Sequence, residues 1–375
     1  MFETFSLLAL QEYWWFLISV IGAILVFMSF VFGGQSLIFE LGSNENEKDL
    51  IVNSLGRKWE LMFTTLVLFG GALFAAFPLF YATSFSGTLW VWIIILFSFI
   101  LQAVSYEFRK KENNFLKQHG YELFLVVGGS VGLIFLGGAI ASLFHGVAFS
   151  LNDQNLSFYH NSLRGLELLA SPFILLFGVM FLFLARSNAL LYFINNIKDQ
   201  KLYVKSRKKL VVNALAFVVL YLVTLFFILY ALNGYSSVDG KIVLESHHFF
   251  KSLVATPFLT LFPLLVGTVL YLSAIYITLF KSSKKGIWLS GAGTMLVGFS
   301  LLALLGFNGG SYYPSLVDMQ SSLTIANSSS SHYTLTVMSY VSFLVPVIVA
   351  YVIYVWRILD RDGMSLEELE KGEKY

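Results

Sequence analysis

Residues 61–106 contain no Asp, Glu, Lys or Arg, and nothing else in the chain restricts its fold as tightly. About 20 apolar residues suffice to cross the ~30 Å of hydrocarbon in a bilayer, so this run is more than twice one crossing. It has to turn, and the polar break available is Ala82-Thr83-Ser84-Phe85-Ser86-Gly87. The same length rule along the chain predicts nine spans, at roughly 14–39, 60–82, 87–107, 121–146, 166–186, 210–232, 257–280, 286–307 and 334–357. The 12% charged fraction and mean hydropathy of +0.75 agree, since soluble domains carry about 25% charged residues. The chain reads as an all-α polytopic membrane protein with nine transmembrane helices.

Cation placement gives an independent test, because cytoplasmic loops are enriched in Lys and Arg. With nine spans, all of the 24 cations except Arg164, Lys241 and Lys251 fall on one face. That predicts a periplasmic N-terminus and a cytoplasmic C-terminus. The stretch 187–209 is expected as the longest cytoplasmic connection. It divides an N-terminal helical bundle (1–186) from a C-terminal one (210–358), with a short tail at 359–375. No basic region precedes the first apolar run, so a cleavable leader is not expected. The basic loops are explained by topology and lipid headgroups, and no nucleic-acid partner is expected.

The chain lacks cysteine, which excludes disulfides and thiolate-bound metal. The six histidines (119, 145, 160, 247, 248 and 332) lie in loops or at span ends, so a haem held between two mid-membrane imidazoles is not expected. His247-His248 reads as part of a solvated loop. Met28, Met62, Met295 and Met338 read as core packing. Ionisable residues in spans are costly and point to function. The candidates are Glu60, Glu107, Glu122 and Glu167. Glu60 lies about 4.5 Å deeper than Arg57 at 1.5 Å per residue. Glu122 and Glu167 open helices, where acids complement the dipole. Glu107 has Arg109 and Lys111 as possible partners, and Gln102 adds an uncharged polar group to the third span. The glycine pairs 70–71, 128–129 and 137–138 read as helix-packing signals, since small residues let helices approach closely in lipid.

The segment from Gly56 to Gly87, and above all Gly70–Ala82 (GGALFAAFPLFYA), resembles the second helix of subunit II of cytochrome bd-type quinol oxidases. Trp14-Trp15, the block VSYEFRKK (104–111) and the stretch 322–358 resemble further blocks of that family in the same order. The resemblance implies two four-helix bundles plus one peripheral helix, in the bacterial inner membrane. It implies a haem-bearing subunit I as partner, with haem b and haem d ligated there and none by this chain. Quinol is then oxidised, dioxygen is reduced to water, and a structural quinone and small accessory subunits are possible companions. Trp59-Glu60 takes the place of the family's Trp-Asp, Leu61-Met62 replaces Gly-Asn, and Thr65 replaces a second Trp. Ser29-Phe30-Val31-Phe32 replaces Asp-Gly-Phe-Asp, and Gln102 stands where arginine is common. With those polar groups lost, Glu60 is the favoured proton-entry residue and Glu107 the weaker one. Trp59, Gly70, Gly71 and Pro78 are expected to shape the same site. A self-contained transporter and a purely structural scaffold are the alternatives. The chain shows neither the internal repeats nor the midplane polar residues typical of transporters.

Overall fold

The computed structural model describes residues 2–371. Among them are nine helices long and apolar enough to cross a membrane: α1 (Leu7–Gln35), α2 (Glu45–Ala76), α3 (Leu89–Phe108), α4 (Lys117–His145), α5 (Pro172–Asn196), α6 (Gln200–Ala231), α7 (Leu261–Phe280), α8 (Gly286–Gly306) and α9 (His332–Leu359). Their number and order agree with the prediction, while several ends shift for local reasons. Asn44 Oδ1 accepts the Glu47 amide at 2.9 Å, so α2 begins fifteen residues before the predicted start at 60. Its far end is set by Pro78, which cannot continue the hydrogen-bond ladder and opens the short helix Pro78–Gly87. Pro172 likewise starts α5 later than predicted.

The expected connection 187–209 needs correction. α5 continues to Asn196 and α6 begins at Gln200, capped by Asp199, whose Oδ1 accepts the Leu202 amide at 2.7 Å. Only 197–199 lies between the helices. Residues 187–194 are buried rather than solvated, which is why their helix persists past the apolar window.

Helix pairing crosses the two halves of the chain, since α1 packs on both α2 and α8, and α5 on α1, α4 and α6. Gly33 permits one of these contacts. A Cβ there would lie 2.2 Å from the Ala185 carbonyl carbon, so the α1 and α5 backbones touch. Gly129 and Gly137 do the same against Phe32 and Gly178, in keeping with the packing role read for the 128–129 and 137–138 pairs. Trp14 and Trp15 tie α1 to α9 and α8. The Trp14 indole N–H donates to Ser339 Oγ at 3.0 Å and that of Trp15 to the Leu302 carbonyl at 3.0 Å.

The two ends of the bundle differ in kind. At one end the cation-rich segments meet acids from other helices: Arg109 with Asp49 and Glu122, Lys205 with Glu47, Lys58 with Asp360. At the other, three antiparallel hairpins form a cap: β1 (Phe149–Leu151) with β2 (Ser157–Tyr159), β3 (Gly234–Val238) with β4 (Lys241–Glu245), and β5 (Ser311–Tyr313) with β6 (Leu323–Thr324).

Candidate functional site

Glu60 lies on the outer surface of α2, exposed and without an ion-pair partner among the described residues. Its neighbours one, two and about four turns along, Phe63, Val67, Leu68 and Phe74, are exposed too. The rest of the helix to Ala76 spans roughly 24 Å at 1.5 Å per residue, which puts Glu60 near one edge of a hydrocarbon layer of ~30 Å. Gly70 and Gly71 lie on the same helix but serve no packing within this chain. Nothing stands within 4 Å of a Cβ at Gly71, and at Gly70 only the Phe85 ring does. The pair leaves a notch in an apolar face that also carries one carboxylate.

Behind that face the side chains are polar and buried. The Trp59 indole N–H donates to Gln102 Oε1 at 2.9 Å, and its ring stacks on Phe63 at 5.7 Å. Gln35 donates to the Tyr106 hydroxyl at 2.9 Å. Gln102 Nε2 and Gln35 Oε1 are left buried without partners, a spare donor and a spare acceptor. Both border the Gly128–Gly129 pair, whose Cβ positions would lie 3.4 Å from the first and 3.2 Å from the second. A matched donor and acceptor in one polar niche is the setting in which buried water is retained.

The other acids are engaged. Glu107 is exposed and paired with Lys111, four residues on. Glu122 is buried and takes Lys48 at 2.8 Å, Arg109 at 2.8 Å and Gln118 at 2.8 Å, a network rather than a lone helix-opening charge. Glu167 accepts its own Gly165 amide at 2.8 Å. Beside Glu60, Lys58 is fully buried. Its ammonium lies 2.7 Å from Asp360 Oδ1 and 5.1 Å from the centre of the Trp356 ring, while the Tyr192 hydroxyl donates to the same Asp360 oxygen at 3.2 Å.

A cavity of about 100 Å³ lies between the helices, walled by Trp15, Leu66, Phe69, Trp92, Phe181 and Tyr271 among others. Its lining is almost wholly apolar. The Tyr271 hydroxyl is buried, with the Ser187 hydroxyl beside it and no well-formed hydrogen bond. Pro78 sets the kink beside this cavity, and Phe80 and Ser84 of the helix it opens reach the cavity wall.

The profile of the family "Cytochrome bd terminal oxidase subunit II" matches residues 10–359. The chain belongs to that family. It is 27% identical over 382 residues to "Cytochrome bd-I ubiquinol oxidase subunit 2" of Escherichia coli strain K12, covering 97% of each chain. It is 27% identical to "Probable cytochrome oxidase subunit 2" of Haemophilus influenzae, covering 92% of this chain and 93% of the relative. It is similar in fold to the bd oxidase of Geobacillus thermodenitrificans, with a TM-score of 0.69 at 14% identity, over 95% of this chain and 100% of that one. It is thus a membrane subunit of a respiratory terminal oxidase, part of an oxidoreductase complex of the inner membrane.

In this cytochrome bd subunit II all six histidines lie at helix ends or in the cap. His119 opens α4 and His145 closes it. His160 pairs with Ser150 at 2.8 Å, and His332, first in α9, donates to the Phe5 carbonyl at 2.8 Å. His247 is exposed in a turn, as expected of it, while His248 departs from the solvated loop. His248 is 4% exposed, with Nδ1 2.7 Å from Glu245 Oε2. Gly234 makes room, since a Cβ there would lie 2.5 Å from that of His248. Lys251 and His248 hold the Glu245 carboxyl down at about 2. Among the described residues no group of three or more His, Asp or Glu is placed to hold a metal ion. Sequence reading singled out Glu60, Trp59 and Gln102 but missed the Gln35–Tyr106 bond and the Lys58–Asp360 pair. Gln35 was noticeable as an amide at the end of a long apolar helix. Nothing local announces Asp360 as the partner of Lys58.

Proposed function

We propose that this subunit ligates no haem and serves the oxidase as its proton-access and supporting half. In this reading haem b and haem d sit in a haem-bearing subunit I, quinol is the reductant, and dioxygen is reduced to water. The cation-rich end faces the cytoplasm, following the bias of Lys and Arg. Reduction of dioxygen to water takes one proton for each electron, so a route from that side is required.

The observation that carries the reading is the unpaired Glu60 on the apolar outer face of α2. An acid facing lipid costs up to about 2.5–3.5 kcal/mol at the centre of a span, and less toward the edge where Glu60 lies. The cost disappears if subunit I covers this face, with its own helices seated in the Gly70–Gly71 notch, as small residues permit. Glu60 then lies at a subunit boundary, open toward the cytoplasmic end and backed by the Trp59–Gln102 and Gln35–Tyr106 pairs. Glu107, exposed and paired with Lys111, is a weaker station on the same side. Replacing Glu60 by Gln in the assembled complex, with turnover measured against haem content, tests the assignment. Small accessory subunits, if present, have other apolar faces to occupy, such as that of α9 with Val347, Tyr351 and Tyr354 exposed.

The cavity suits a structural quinone. Aromatic and aliphatic walls accommodate a quinone ring and the first part of its isoprenoid tail, and the buried Tyr271 hydroxyl beside Ser187 can turn to donate to a quinone carbonyl. Tyr271→Phe removes that donor at nearly constant volume. Quinone extracted from the purified complex is expected to drop below half of the wild-type amount, roughly the effect of losing one buried hydrogen bond. Equal amounts from both would remove the cavity's polar end from quinone binding.

A further inference from the structure

Among the described cations at the cation-rich end, Lys48, Arg57, Lys58, Arg109, Lys110, Lys111, Arg186, Lys205 and Lys209 each have an acid within ion-pair distance, while Lys117, Lys198, Arg357 and Arg361 have none but lie away from the corner formed by the start of α6, the end of α7 and the start of α8. The cations at that corner also have none among the described residues. They are Lys201, Arg207, Lys208, Lys281, Lys284 and Lys285. The nearest acid in sequence, Asp199, is spent as the α6 cap.

The corner is organised as well as charged. Arg207 is fixed by donating to the Leu279 carbonyl at 2.6 Å, where α7 ends. Its guanidinium lies 5.7 Å from the centre of the Tyr203 ring, and the Lys284 ammonium lies 5.6 Å from the same ring. Asn195 Nδ2 donates to the Lys284 carbonyl at 2.9 Å and holds that loop in place. Two cations from different elements thus share one aromatic ring with no carboxylate between them, and like charges so gathered call for an anion. The level is that of the membrane boundary. Phe280, Tyr276 and Trp288, flanking the loop, are all more than half exposed, as aromatic side chains at a headgroup layer are.

We propose that the corner formed by Tyr203, Arg207, Lys281, Lys284 and Lys285 binds the phosphate of an anionic phospholipid. Fixed cations take the headgroup, and the exposed aromatic rings on α7 and α8 border its acyl chains. Basic pockets between helix ends on this side of a membrane have the chemistry for that ligand.

The test uses the purified, delipidated oxidase complex in detergent. Its thermal midpoint is followed on titration with short-chain phosphatidylglycerol, short-chain phosphatidylcholine, or inorganic phosphate. Phosphatidylglycerol is expected to raise the midpoint, with the other two inert. A Lys281→Gln, Lys284→Gln, Lys285→Gln variant, altered only in an exposed loop, is expected to need about a hundredfold more phosphatidylglycerol for the same shift. A control that neutralises Lys117, Arg357 and Arg361 on the same face is expected to titrate as wild type. An equal response to phosphatidylcholine overturns recognition of the anionic headgroup. An equal response to inorganic phosphate makes this a free-anion site and overturns the lipid. An unchanged titration in the loop variant, or equal weakening in the control, overturns the assignment to this corner.

Discussion

Glu60→Gln in the assembled oxidase is expected to slow quinol-driven oxygen consumption by about a hundredfold, the lower end of the range for loss of a positioned proton-transfer group, with haem content unchanged. Gln matches Glu in volume and keeps an acceptor oxygen, so packing of the α2 face is preserved while the titrating proton is lost. Glu60 has no ion pair to break among the described residues, so the substitution strands no cation there. Glu60→Asp keeps the carboxyl and is expected to retain most of the activity. Oxygen consumption at the wild-type rate in Glu60→Gln would remove the residue from the proton route. Loss of haem in step with activity would make it an assembly residue.

The largest expected stability effect belongs to Asp360→Ala. Lys58 has no exposed side-chain surface, and among the described residues Asp360 is its only acid, at 2.7 Å. Removing one member of a buried pair leaves an uncompensated charge and typically costs about 3–5 kcal/mol. Here the cost also loosens a tether, because the pair joins α2 to the end of α9, and Arg57 adds a second link to Glu368 at 2.9 Å. The thermal midpoint of the purified complex is expected to drop by several degrees in Asp360→Ala. It is expected to recover most of that loss in Lys58→Met, Asp360→Leu, where no buried charge remains. A single variant as stable as wild type would show that water reaches Lys58 and that the pair holds nothing together.

The nine spans and the segregation of cations were legible because both are local properties, apolar length and loop charge. The helix ends were not. Residues 45–59 carry Glu45, Glu47, Lys48, Asp49, Arg57 and Lys58, so a hydropathy window stops short, yet the helix runs through them. It does so because those charges find partners from elsewhere: Lys205 for Glu47, Glu122 for Lys48, Arg109 for Asp49, Asp360 for Lys58. Lys58 and Asp360 are 302 positions apart, beyond any pattern of neighbouring residues. The stretch 187–196 escaped for the same reason, its polar Asn188 and Asn196 being buried against Thr294 and Ser54. Within the site, Glu60 stood out as an acid at the lip of an apolar run. That it points away from its own bundle depends on which side of α2 the other helices occupy, and only the folded chain reveals that.

The account rests on the redox iron being held outside this subunit, and a density map of the intact complex that resolves the haems tests it directly. The expected result is that every haem iron is ligated by side chains of the partner. A haem iron bonded to a histidine or methionine of this chain would contradict it.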